Sequence, residues 1–276
     1  LDVDNYIELI HFHIKNGTNG LVPAGTTGES PTLSHEEHEK VIELCISETK
    51  GKIPVIAGTG SNSTEEAISL TKHAEKAGAD AALLVTPYYN KPTQEGLYQH
   101  YKAINDSCGI PLIIYNIPSR SVIDITVDTM ARLFELKNIV GVKDATGILD
   151  RVNQQKEKMG NDFIQLTGED ANVLEFNKRG GIGCISVTAN IAPKLCSDFQ
   201  KFSLSKNNNE IKEAERINDL LQPVHKSLFI ESNPSPVKYA AKLLNLCSDE
   251  VRLPLVKVTS STKESIKNAL VSAKLI

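Results

Sequence analysis

The feature that most constrains this chain is an alternation of short, continuously apolar runs with longer amphipathic segments. The apolar runs are Gly20 to Thr26, Ile53 to Gly58, Ala81 to Pro87, Pro111 to Ile117, Ile139 to Asp144, Phe163 to Thr167 and Gly183 to Thr188. They recur at the length of a βα unit. Runs that are apolar throughout, rather than at every second residue, suit parallel strands covered on both faces. The intervening segments carry helix signals. Ser34-His35-Glu36-Glu37 and Ser63-Thr64-Glu65-Glu66 both read as capping boxes, with Ser at the N-cap and Glu three residues on. Helical spacing follows in Val41, Ile42 and Cys45, in Ala67, Leu70 and Ala74 before a stop at Gly78, and in Leu97, Tyr101 and Ile104 within Glu95 to Asp106.

Strict alternation leaves two α/β architectures, a doubly wound sheet or a barrel. No G-x-G-x-x-G follows the first run, which lowers the dinucleotide-binding option. The expected fold is therefore a (β/α)8 TIM barrel. Such a barrel has eight strands and seven runs are present, so the first barrel strand is expected to be missing, its natural place being ahead of Leu1. After Ser205 the apolar runs stop. Lys206 to Asn209 reads as a polar turn, and Glu210 to Leu228, Pro236 to Leu246 and Lys263 to Lys274 as helices. Residues 1–205 are thus expected to form an N-terminally incomplete barrel and residues 206–276 a C-terminal helical domain.

A net charge of -4 gives no electrostatic footprint for nucleic acid or an anionic membrane. No apolar run approaches the roughly 18–20 residues that span a bilayer. The five cysteines, Cys45, Cys108, Cys184, Cys196 and Cys247, are scattered and form no C-x-x-C pair, which favours free thiols in a reducing, cytoplasmic setting.

In a barrel the active site lies at the C-terminal ends of the strands. Those ends carry Thr26 and Thr27, Tyr88 and Tyr89, Tyr115, Lys143, Gly168 to Asp170 and Ile185 to Thr188. No metal-ligand cluster is among them, so no metal is expected. Lys143 ends the apolar string Ile139-Val140-Gly141-Val142-Lys143. Desolvation there disfavours an ammonium, and a neutral amine is the nucleophile that forms a Schiff base with a carbonyl. Two-residue periodicity puts Gly141 on the face of Lys143, which would leave room beside the lysine. Taken alone, Lys143 also fits a strand-end lysine whose stem lies over apolar neighbours. Tyr115 ends the preceding strand and would neighbour it across the ladder, as a proton shuttle or as a core aromatic with its hydroxyl at the rim. Gly25-Thr26-Thr27-Gly28-Glu29-Ser30 is a small-residue loop whose N–H groups and hydroxyls could cradle a carboxylate, or simply a tight turn. Gly58-Thr59-Gly60-Ser61 lacks the lysine of a phosphate loop.

Gly25-Thr26-Thr27-Gly28-Glu29-Ser30 occurs in order with Pro87-Tyr88-Tyr89-Asn90-Lys91-Pro92, Tyr115-Asn116-Ile117-Pro118-Ser119-Arg120, Gly141-Val142-Lys143-Asp144-Ala145-Thr146-Gly147, Gly180 to Asn190 and Asn233-Pro234-Ser235-Pro236-Val237-Lys238. Together they resemble the dihydrodipicolinate synthase family, within the N-acetylneuraminate lyase superfamily of pyruvate-dependent class I aldolases, over essentially the whole chain. The resemblance implies a lyase that condenses pyruvate, bound as a Schiff base, with L-aspartate 4-semialdehyde to give 4-hydroxy-tetrahydrodipicolinate, on the way to diaminopimelate and lysine. It implies that Lys143 forms the imine, that Tyr115 is the general acid/base, and that Thr26 and Tyr89 complete a proton relay, Tyr89 from a neighbouring subunit. Thr27 would contact the pyruvate carboxylate, the Ile185 backbone would lie beside pyruvate, and Arg120 would receive the carboxylate of the aldehyde. A homotetramer follows, with no cofactor beyond the covalent imine. It also implies an allosteric L-lysine effector site at Ser30, Pro31, His35, His38, Asn62, Glu66 and Tyr88, although Glu66 equally suits the N3 place of a capping box and His35 and His38 the exposed first turn of a helix. Ser121-Val122 departs from the family, which usually has Thr followed by Gly or Asn. Two other readings stand beside this one. One is another pyruvate aldolase, acting on sialic acid or a hydroxy-oxo-acid, against which Arg120 and the Thr26-Thr27 pair speak. The other is a non-catalytic ligand-binding barrel.

Overall fold

The computed structural model describes residues 1–276. Five parallel strands lie in sequence order, β1 (Ile56–Gly58), β2 (Ala81–Val85), β3 (Leu112–Asn116), β4 (Ile139–Asp144) and β5 (Ile164–Thr167). Helices α1 (Val3–Lys15), α2 (His35–Thr49), α3 (Thr64–Ala77), α4 (Gln94–Asn105), α5 (Pro118–Ser121), α6 (Val127–Phe134), α7 (Asp150–Met159), α8 (Val173–Lys178) and α9 (Pro193–Ser203) alternate with them or flank them. Then come α10 (Asn208–Ser227), α11 (Ser235–Leu243) and α12 (Ser260–Ser272).

The first and last expected strands are corrected. Gly20 to Thr26 keeps a single bridge, Leu21 to Val55, and Gly183 to Thr188 a single bridge, Thr167 to Cys184. Each bonds on one side only: Leu21 N donates to Pro54 O at 2.9 Å and Ile56 N to Leu21 O at 2.8 Å, while Thr167 N donates to Gly183 O at 2.9 Å and Ile185 N to Thr167 O at 3.0 Å. One-sided ladders three residues long leave the chain free to turn away at Ala24 and Val187. The two flanks do not pair with one another, and a cavity of about 1120 Å³ is lined from both.

The strands face two cores. Ala82, Leu84, Leu112, Ile114 and Val142 point outward and pack with Leu97, Tyr101, Ile104, Met130 and Leu133 of the covering helices. Ala81, Leu83, Ile113, Tyr115 and Ala145 point inward, with Val22, Ile56 and Ile185 against them. Burial on both faces is the reason these strands read as continuously apolar.

Helix starts follow the caps, with one difference. At Ser34 the capping box is complete, Glu37 N donating to Ser34 Oγ at 3.2 Å and Ser34 N to Glu37 Oε2 at 3.1 Å. At Ser63 only half of it forms: Glu66 N reaches Ser63 Oγ at 3.4 Å, but the Glu66 carboxylate turns to Ser61 and His35. Gly78 stops α3 at φ +95°, where a side chain would be strained.

In the C-terminal stretch, the expected turn at Lys206 to Asn209 is shorter, since α10 begins at Asn208, capped by the Asn207 side chain. The last three helices pack on the rim of the barrel. Val224, Leu228, Val237, Ile266 and Leu270 share one core with Val187 and Ile191.

Two histidines sit inside the helical layer. His13 and His100 are 6% and 5% exposed, each with a ring nitrogen on a threonine hydroxyl, Thr18 at 2.8 Å and Thr64 at 2.9 Å. Burial pushes both imidazoles down to about 4 from the ordinary 6.5. A depressed folded-state value means the unfolded chain takes up protons first as pH falls. Their contribution is therefore complete above pH 6.5 and is lost progressively as pH drops from there toward 4. We expect the unfolding free energy from urea titration to be flat between about pH 7 and 8 and to fall below about pH 6.5, by up to ~3 kcal/mol per histidine. His100→Gln should flatten that slope; an unchanged slope in both His100→Gln and His13→Gln would assign the acid sensitivity elsewhere.

Candidate active site

The site begins with a register. β3 pairs with β4 so that Leu112 faces Ile139, but the next pair is Ile113 with Gly141, then Ile114 with Val142 and Tyr115 with Lys143. The extra residue, Val140, is a β-bulge. Its effect is visible in the cores: Ile139 and Val142 both face outward although three residues apart. A straight strand would put Lys143 on the outward face with Ile139 and Gly141. The bulge turns it inward instead, as bulges beside active sites do. Lys143 is 9% exposed, with Nζ 4.0 Å from the centroid of the Tyr115 ring.

Gly141 does not provide room beside the lysine, as its spacing suggested. A Cβ there would lie 2.2 Å from the Ile164 carbonyl oxygen, so Gly141 is what lets β5 close onto the bulge. The glycine beside the lysine is Gly168, whose Cβ would come 3.0 Å from Lys143 Cε and 2.8 Å from Ala145 Cβ.

Thr26 and Thr27 sit in the turn after Leu21 and line the same cavity as Lys143, Tyr115, Arg120 and Ile185. Their loop is held from far along the chain. Asn233 Nδ2 donates to Thr27 Oγ1 at 2.9 Å, Lys238 Nζ to Glu29 Oε2 at 2.9 Å, and Arg252 N to Glu29 Oε1 at 2.9 Å. Arg252 also pairs with Glu37 on α2. Glu29 needs this hold, because it stands at φ +56°. Asn233 has a second role: its carbonyl accepts from Arg120 Nη2 at 3.1 Å. Arg120 lies on α5, which ends on Val122 at φ +69°. A β-branched residue in the left-handed region costs about 1–2 kcal/mol.

Ile185 is fixed by its neighbours. Asp170, 4% exposed, accepts from Val187 N at 2.8 Å, from Thr188 N at 3.2 Å and from the Ser186 hydroxyl. Thr188 Oγ1 in turn lies 2.7 Å from His225 Nδ1 on α10. Burial, followed by Asp170, pushes the neighbouring Glu169 carboxyl up, with Lys143 opposing. Asn233, Asp170 and Glu169 were not singled out in the sequence. Glu169 and Asp170 did stand at a strand end and Asn233 in a proline-flanked string; only their contacts are new.

Tyr89 is not brought into this cavity. It stands on the loop after β2 at φ +70° and is 88% exposed. The seven positions of the expected effector site divide. His35 Nε2 meets Glu66 Oε1 at 2.9 Å, and Asn62 Nδ2 donates to Tyr88 O at 3.2 Å, so these four form two surface pairs; Ser61, next to Asn62 in sequence, donates to Glu66. Ser30 and Pro31 begin the short turn before α2. His38, however, is buried at 4% exposure, not in an exposed turn, with Nε2 2.9 Å from Gly58 O. The cause is helical phase: three residues past His35, it faces the sheet alongside Ile42 and Cys45. No group of three or more His, Cys, Asp or Glu side chains is arranged to hold a metal ion.

The model of the dihydrodipicolinate synthetase family matches residues 1–273. A 4-hydroxy-tetrahydrodipicolinate synthase of Pelagibacter ubique is 79% identical over 276 residues, covering 100% of this chain and 94% of its own. The crystal structure of the chloride-inhibited dihydrodipicolinate synthase from Acinetobacter baumannii complexed with pyruvate superposes with a TM-score of 0.97 at 47% identity, over 100% of this chain and 94% of that one. That of Cyanidioschyzon merolae with lysine bound gives a TM-score of 0.95 at 36% identity, over 100% and 93%.

Proposed function

The chain belongs to the dihydrodipicolinate synthetase family, and from that premise we propose how its own residues work. It acts as a lyase that condenses pyruvate with L-aspartate 4-semialdehyde. The observation that carries the residue assignment is the inward turn of Lys143 against Tyr115 at the bulge of β4.

Lys143 adds to the ketone carbon of pyruvate and water leaves, giving an imine. Tyr115, paired with Lys143 across the ladder, passes the protons of that addition and loss. Thr26 and Tyr89 extend the relay. Tyr89 projects from its own chain and serves the cavity of a neighbouring subunit in a homotetramer. The Thr27 hydroxyl takes the pyruvate carboxylate, and Ile185 presents its backbone beside the same ligand. Loss of a proton from the pyruvate methyl group gives an enamine, which attacks the aldehyde carbon. Arg120 holds the carboxylate of that aldehyde. The imine is itself the electron sink, so no further cofactor takes part. The free state of all five cysteines suits the reducing cytoplasm. L-Lysine binds at the pairs His35–Glu66 and Asn62–Tyr88, where Glu66, held ionised by Ser61 and His35, meets an ammonium group.

Borohydride reduction in the presence of pyruvate should fix a three-carbon adduct on Lys143, read by peptide mapping, and Lys143→Ala should lose it. An adduct on another lysine, or none, overturns the assignment. Arg120→Ala should lower kcat/KM for aspartate semialdehyde by about 10- to 150-fold, the scale of a charged hydrogen bond of ~1.5–3 kcal/mol, while the pyruvate adduct still forms. Equal damage to both substrates would make Arg120 a support only. Saturating L-lysine should reduce initial rates without competing with pyruvate, and Glu66→Ala should relieve the inhibition. Rates indifferent to lysine, or inhibition untouched by Glu66→Ala, would count against this site.

A further inference from the structure

Aspartate semialdehyde carries two charges, and Arg120 answers only the carboxylate. Five carboxylates line the catalytic cavity: Asp2, Glu29, Glu169, Asp170 and Glu250. Four are occupied. Asp2 caps α1 through Asn5, Glu29 holds Lys238 and the Arg252 N–H, Asp170 takes Ser186 with two backbone N–H groups, and Glu250 pairs with Lys257. The Glu169 carboxylate accepts no hydrogen bond and forms no ion pair, although its backbone is pinned, its N–H donating to Thr167 Oγ1 at 3.0 Å. It follows directly on Gly168, the residue packed against the Lys143 stem.

We propose that Glu169 is a specificity-determining residue which binds the ammonium group of the aldehyde substrate, opposite Arg120. This rests on the pyruvate and aspartate semialdehyde reading above. A half-buried carboxylate with no partner gains from an incoming cation, because the medium that disfavours the lone charge strengthens the pair. Burial holding the Glu169 carboxyl above its ordinary range is the same effect seen from the empty side. The place also suits the reaction. To close the ring, the nitrogen of the aldehyde must end on the carbon that Lys143 held, so a group that gathers this nitrogen belongs beside Lys143. Glu169 therefore selects an amino-aldehyde over one with a carboxylate alone.

The test compares aspartate semialdehyde with succinic semialdehyde, which keeps the aldehyde and carboxylate but lacks the amino group. In Glu169→Gln, KM for aspartate semialdehyde should rise about tenfold or more, while the inhibition constant of succinic semialdehyde against it stays within roughly twofold. Glu169→Asp, which keeps the charge, should recover most of the loss. The borohydride adduct of pyruvate, measured by intact mass on each variant, should persist and show that the fold and Lys143 are intact. An unchanged KM, a parallel rise for both aldehydes, or a Glu169→Asp variant as impaired as Glu169→Gln overturns the proposal. Absence of the adduct from the unsubstituted enzyme overturns instead the pyruvate reading beneath it.

Discussion

A single extra residue in β4 decides which side of the barrel wall receives an amine. Without Val140 bulging between Ile139 and Gly141, Lys143 would enter the outward core among Leu112, Ile114 and Met130, where an ammonium has no partner and its desolvation is unfavourable. With it, the same strand delivers Val142 to the helices and Lys143 to the interior. Gly141 permits the arrangement because β5 approaches it so closely that no side chain fits. Outward of the wall, Asp144 is met by Arg151 at 3.0 Å and by Gln155 at 3.2 Å, and Arg151 also reaches Asp124 at 2.9 Å and the Ile125 carbonyl at 2.7 Å. This buried network fixes the end of β4 just past the lysine. Charge is tolerated there because its hydrogen bonds are made on several sides.

The rest of the cavity is assembled by fastening loops to this wall. The wall itself is apolar and local, built from consecutive βα units. The fastenings are polar and distant: Asn233, Lys238 and Arg252 reach back to Thr27, Glu29 and Glu37. Such contacts contribute modest net stability each. Their importance lies in direction. They hold a loop containing a left-handed glutamate in one conformation, and they tie Arg120 to the same asparagine that touches Thr27. The groups expected to meet the two substrates thus share one anchor.

Much of this was legible in the sequence because it follows from short-range rules. The bounds of β4 and the adjacency of Tyr115 and Lys143 come from run length and from the order of βα units, which right-handed crossover chemistry keeps sequential. What was not legible depends on contacts without a local signature. The bulge is invisible because Ile139 to Val142 is apolar on both faces, so no alternation marks the slipped residue. His38 reads as a surface residue of a first turn until the phase of α2 is fixed by Ile42 and Cys45. Glu66 satisfies a capping pattern perfectly well on paper, yet a neighbouring serine and histidine compete for it more successfully. The half-formed outer strands look like any other apolar run, since a sequence does not say how many neighbours a strand will have. The motif-level resemblance compensated for part of this, naming Thr26, Thr27 and Arg120 before any geometry did.

The clasp between Asn233 and Thr27 joins residues 206 positions apart, and this has a bearing on how the molecule comes into being. On a ribosome, Thr27, Tyr115 and Lys143 emerge well before Asn233, and Arg252 later still. The wall that carries the amine can form from what has already been made, since each βα unit packs on its predecessor. The loop that would seat a ligand's carboxylate cannot be set until residues 233 to 252 have emerged as well. The nascent chain would thus acquire its proposed nucleophile well before the contacts that hold the substrate loop.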